Sequence, residues 1–246
     1  MQRTDTDTAY PGDRSALLAA VISGLLYVVV AFVPQVDGPP VETASADQIR
    51  SFLAEHDSGL RILALAGALA IPLVLVFTTA LARLIRGRIP GSQLADLVVA
   101  GGVLVAIWHW VVVAGTSTTL VQELDGYDLA RVDDATLRGW YGLSSFTHFF
   151  ADLAMLGIAT VMAAASIAAL RTGLFARWLG WLGLVFATGG VVGTIGITLA
   201  WKPLAVVWFL GIFGWWLWVL IVAVTCGVRF RRRDARAAIE PTATPA

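Results

Sequence analysis

Charge is scarce in this sequence. Only 14% of its 246 residues are Asp, Glu, Lys or Arg, against about 25% in an ordinary soluble domain. Hydrophobic residues make up 58%, more than a water-soluble fold can hide. The few charges cluster in short segments between long apolar runs, which is how a bilayer-spanning chain reads. Cysteine is scarcer still. Cys226 stands alone, which excludes an internal disulfide and any CxxC metal or redox motif. Near the end of the last apolar run, it reads as a small apolar residue, buried or lipid-facing. The formal net charge is zero, so no overall field recruits nucleic acid or an acidic partner. There is no P-loop, no GxGxxG after a strand and no GxSxG. The loop triplet His56, Asp57, Ser58 is no catalytic arrangement, because adjacent side chains point apart. These absences weigh against an enzyme.

What is present is six apolar runs, at 16–33, 60–84, 97–120, 146–170, 178–200 and 203–228. Each can cross about 30 Å of hydrocarbon at about 1.5 Å per residue. The expected fold is an all-α membrane protein, a six-transmembrane-helix bundle. The first run exceeds the usual apolar core of a signal peptide, about 7–15 residues, and VPQVDGPP offers no small-x-small cleavage site, so it reads as the first span. Pro72 lies inside the second and predicts a kink.

Orientation follows from the basic residues, whose excess stays on the cytoplasmic side. With the N-terminus inside, twelve arginines are cytoplasmic: Arg3, Arg14, Arg83, Arg86, Arg88, Arg171, Arg177, Arg229, Arg231, Arg232, Arg233 and Arg236. Five basic residues lie opposite: Arg50, Arg61, Arg131, Arg138 and Lys202. The expected topology is therefore N-in/C-in. A cytoplasmic tail (1–15) leads into the transmembrane domain (16–228), with outer loops at 34–59 and 121–145. A basic and then disordered tail (229–246) follows, whose RFRRRDAR cluster reads first as a stop-transfer anchor. Trp178 and Trp181 mark the inner edge, and Trp140, Tyr141 and Trp201 the outer one. Trp215, Trp216 and Trp218 lie deeper, as packing or lipid contacts. Each outer loop also carries an amphipathic segment, ADQIRSF and DATLRGW. Ser45 with Gln48 fits a capping box and Asp133 fits an N-cap, so both predict short helices lying at the outer interface.

Ionisable groups within a span are costly and mark functional candidates. Two lie clearly inside, His109 in span three and Asp152 in span four, and His148 joins them near the outer end. At helical spacing His148, Asp152, Met155, Ala159, Ala163 and Ser166 form one stripe. Gly102, Ala106, His109, Val113 and Thr116 form another, and the two are expected to face each other. Glu123 and Asp125 would stand at the mouth of an outward-opening cavity. An Asp beside a His in low dielectric suits a proton relay, because each charge stabilises the other. Two imidazoles and a carboxylate are also a divalent-metal set, although no HExxH or HxH supports it, and haem ligation by His109 and His148 is awkward because the two are offset along the membrane normal. No cofactor is predicted, and metal or haem stays the minor alternative. The bland reading is interhelical hydrogen bonding that holds the helices in register.

Gly189 and Gly193 have GxxxG spacing, with Gly196 one turn further on, which permits close helix approach. Packing within the monomer is the favoured use. FLAEHDSGLRI leading into span two, ALARLIRGR leaving it and RTGLFARWLGWLGL between spans four and five resemble a broad bacterial family of six-helix integral membrane proteins of unknown function. The likeness covers most of the chain. It implies a plasma-membrane location and the helix count, and carries over no catalytic residue. Expected partners are the lipid bilayer and another membrane protein. Two functions compete: handling a small molecule, proton or ion at His109, His148 and Asp152, or serving as a non-catalytic accessory or assembly protein.

Overall fold

The computed structural model describes residues 13–33, 43–124 and 131–239, apart from the side chains of 13, 115–124, 143–153, 233–234 and 236–239. Among the described residues the regular structure is helical: α1 (Asp13–Ala31), α2 (Ala46–Arg86), α3 (Gln93–Leu124), α4 (Asp134–Thr172), α5 (Arg177–Thr198), α6 (Lys202–Ala205) and α7 (Trp208–Ile239). Six of these helices are long and apolar enough to cross a membrane. α1, α2, α3, α4, α5 and α7 pack in sequence as a ring that closes between α7 and α1, while α4 also touches α2 and α7. Outside the ring, Val29, Ile62, Leu65, Ile107, Trp110 and Phe213 are exposed. Apolar surface distributed in this way is suited to lipid rather than water. The start of α1 and the end of α7 share one end of the bundle, where the Arg14 guanidinium lies 5.4 Å from the centre of the Phe230 ring.

Three sequence expectations change form. The amphipathic segments are not separate interfacial helices, since both are the first turns of α2 and α4. At about 1.5 Å per residue the 41 residues of α2 run to about 60 Å, twice the hydrocarbon thickness, so α2 is too long for all of it to lie in a membrane core. Its charged first turns, residues 46–59, precede the apolar run. Much of the predicted outer loops 34–59 and 121–145 is therefore helix. The sixth run is likewise interrupted: α6 is a single turn, and α7 continues through the basic cluster to Ile239. α2 stays helical through Pro72.

The first turns of α2 and α4 pack on each other. Ile49, Leu53, Leu60, Leu137 and Tyr141 form a second apolar cluster, separate from the main core. Tyr141 is buried in this cluster and packs edge-on against Phe52, with ring centres 6.2 Å apart. Arg50 spans the pair, donating to the Asp134 carboxylate and the Val132 carbonyl at 2.8 Å each. The capping box is present, with the Gln48 amide donating to Ser45 Oγ at 3.1 Å and the Ser45 amide to Gln48 Oε1 at 2.8 Å.

Asp133 caps α4, accepting from the Ala135 and Thr136 amides at 3.1 and 3.0 Å. The Thr136 amide leads in holding its carboxyl below the usual aspartate range. A depressed carboxylate contributes stability above its unfolded pKa, about 3.9, and loses it as pH falls through the folded value. Hydrogen exchange at Ala135 and Thr136, corrected for intrinsic pH dependence, is expected to lose protection below that range. Asp133→Asn, which keeps the cap without the charge, is expected to abolish the pH dependence. An asparagine variant that loses protection at the same pH would remove the cap as its cause.

Candidate functional site

α1 is aliphatic except for a few polar positions, and its interior-facing side places Tyr27 in the core with no exposed surface. The buried seam of α7 brings Trp215 beside it, also fully buried, and α3 supplies His109, 8% exposed. The Trp215 indole N–H donates to Tyr27 Oη at 3.1 Å, and Tyr27 Oη lies 3.0 Å from His109 Nε2. The first of these contacts has a fixed direction. An indole N–H can only donate, so the phenol oxygen accepts from Trp215 and keeps its own proton to give away. His109 Nε2 accepts that proton in the tautomer protonated on Nδ1, and donates to the second lone pair of Tyr27 Oη when Nε2 carries the proton. Aromatic rings enclose the layer. Trp108 lies 4.5 Å from the His109 ring, Phe77 meets Trp215 edge-on at 6.4 Å, and Trp218 stacks on Trp215 at 6.1 Å and 18°.

The two predicted stripes do not face each other where their side chains are described. Gly102 abuts Thr78 of α2, Val113 approaches Gly67 of α2, and His109 bonds Tyr27 of α1. The neighbouring stripe of α3 meets α4 instead. A Cβ on Gly101 would lie 2.7 Å from the Gly157 carbonyl oxygen, and one on Gly157 would lie 2.8 Å from Leu104 Cβ. The difference is one residue of helix rotation, about 100°. On α4, Met155 points at Gly190 and Gly211, and Ser166 at Gly183, so that stripe serves α5 and α7.

The same glycine contacts set the height of the site. With Gly101 against Gly157 and Val161, and Gly157 against Leu104 and Val105, His109 falls opposite residues 149–153 of the antiparallel α4. The backbone of His148 and Asp152 is therefore level with His109 to within about a turn. Their side chains, and that of Glu123, lie outside the described residues, as does Asp125 altogether.

His109 is marked in the sequence by its charge, but neither of its partners is. In the sequence Trp215 reads as a packing or lipid contact, and Tyr27 carries no charge to mark it as costly to bury. The available signal is a tyrosine in mid-span, within LLYVVV, whose hydroxyl has no water to bond. Among the described residues no three His, Cys, Asp or Glu side chains group to hold a metal ion. A metal or haem bound through His109 Nε2 would have to displace Tyr27.

The glycine row of α5 is taken up inside the chain. Gly193 lies against the Trp208 backbone, Gly196 against Leu204 and Ala205, and Gly189 against the Leu210 side chain. Comparison with known protein families, characterised proteins and solved structures gives no match.

Proposed function

We propose that this is a multi-pass bacterial plasma-membrane protein, N-in/C-in, that handles protons, or a small ion or molecule moving with them, at the His109 layer. His148 and Asp152 are its partner groups in an outward-opening site. The observation that carries this reading is the Trp215 to Tyr27 to His109 hydrogen-bonded line. Trp215 has no lone pair to pass a proton onward, so the line is closed at that end and exchange runs through the imidazole. In the tautomer protonated on Nδ1, a proton arriving at Nε2 would turn His109 into a donor toward an oxygen that already accepts from Trp215, and the phenol proton would need a new acceptor. The charge state of one imidazole is thereby coupled to three helices. The arginine count supports the orientation, and the six long apolar helices support a membrane location. A second reading, an accessory or assembly protein, draws on the packed first turns of α2 and α4 as a contact surface.

The test is proton flux into liposomes carrying the purified protein and an internal pH dye, under an imposed gradient. Wild-type protein is expected to speed equilibration over empty liposomes, and His109→Gln or Asp152→Asn to slow it roughly a hundredfold, as for loss of an essential proton-transfer group. Wild-type liposomes no faster than empty ones, or a folded His109→Gln protein of unchanged rate, would sink the reading.

A further inference from the structure

Ser166 of α4 and Trp218 of α7 converge on Gly183 of α5. Each side chain is 1% exposed. Among the described residues neither the Ser166 hydroxyl nor the Trp218 indole N–H has a hydrogen-bond partner. A Cβ on Gly183 would run into Ser166 Oγ and lie 2.6 Å from Trp218 Nε1, so both polar atoms border one spot, less than 5 Å apart. Buried donors are seldom left unpaired, because the desolvation they suffer is otherwise uncompensated. The two groups dictate what satisfies them. Trp218 only donates, so its partner must accept, while the serine hydroxyl can do either. Both are neutral and less than 5 Å apart, a separation that one small molecule bonded to each can bridge, which selects an uncharged molecule over an ion. A buried water, with about three hydrogen bonds to otherwise unsatisfied groups, is the species that fits.

We propose that Ser166 and Trp218 bind a single internal water at Gly183, tying α4, α5 and α7 together. The site is distinct from the His109 layer and does not depend on its proposed function. Trp218 stacks on Trp215, so the water anchors the far side of the indole pair whose near side holds Tyr27. It sits about 9 Å inward from the ends of α4 and α5, six residues from Thr172 and from Arg177, toward the end of the bundle that carries both termini.

Indole NMR tests this directly. In protein labelled with nitrogen-15 at its ten tryptophans, Trp218→Phe identifies the Trp218 indole resonance. Exposed Trp178, Trp181 and Trp201 show that water contacts are detectable. A cross-peak between water and the Trp218 indole proton is expected in the wild type and is expected to vanish in Ser166→Ala, with the Trp215 resonance unmoved as proof of an intact core. Ser166→Cys, which keeps the volume but hydrogen-bonds weakly, serves if the alanine variant does not fold. No cross-peak at Trp218 in the wild type overturns the proposal. So does a cross-peak of equal strength in the folded Ser166 variant, since the water would then not be shared.

Discussion

Gly193→Ala is expected to destabilise the bundle by about 1–3 kcal/mol, the usual range for overpacking, while Gly139→Ala is expected to stabilise it by about 0.5–1 kcal/mol. The substitution is identical and the sign reverses, because the surroundings differ. A methyl on Gly193 meets the amide nitrogen and Cα of Trp208, which are backbone atoms of α7 and cannot rotate away. Gly139, on the exposed face of α4, has nothing within 4 Å, so alanine there only restricts the unfolded chain. Gly189→Ala should fall between them, since the nearest atoms its methyl would meet, from 3.0 Å, belong to the Leu210 side chain, which can move. The midpoint temperature for loss of monodispersity in detergent ranks the three. If Gly193→Ala melts with the wild type, or if Gly139→Ala is the more damaging, the α5–α7 packing described above is wrong.

That ranking shows which parts of the fold are legible in the sequence. The six runs, their order and the helix caps at Ser45 and Asp133 are local properties, set by apolar length and by side chains that bond amides two or three residues away. They can be read from the letters. The face of a helix that meets a given neighbour is not local. Gly101 and Gly102 are adjacent and chemically identical, yet one meets α4 and the other α2. A stripe drawn through Gly102 and His109 is a true buried stripe, but its partner depends on how six helices close into a ring, and periodicity alone is silent on that. The continuity of α2 has the same origin. The amphipathic ADQIRSF segment is legible as helix, but its apolar face is buried by α4, eighty-odd residues away, rather than by headgroups.

The site is half legible for a related reason. A histidine in a span announces itself by the cost of burying it, and His109 is found that way. Tyr27 and Trp215 carry their polarity on one atom each, and hydropathy hides it among aliphatic neighbours. Only the fold reveals that the phenol stands between an obligate donor and an imidazole.

Tyr27→Phe is accordingly expected to cost about 1–3 kcal/mol, out of proportion to the one oxygen removed. The deletion strands two partners, His109 Nε2 and the Trp215 N–H, in a layer where Tyr27 and Trp215 have no exposed surface. An unsatisfied buried group costs about 1–3 kcal/mol in water-soluble proteins. A single interhelical hydrogen bond in a bilayer averages only about 0.6 kcal/mol and reaches about 1.7, because the unfolded helices also find partners. Two stranded groups under the second scale, or one under the first, give the same range. The decisive comparison is the double variant Tyr27→Phe, His109→Phe. With the imidazole also gone, only Trp215 is left unpaired, so the double variant should be less destabilised than the sum of the single changes, with a coupling of about 0.5–2 kcal/mol. Van der Waals packing without a hydrogen-bonded line predicts additive losses instead. Reversible unfolding in bicelles, followed through tryptophan fluorescence, distinguishes the two. Additivity within error would mean that Tyr27 and His109 are neighbours rather than partners, and the coupling of three helices through one imidazole would fall with it.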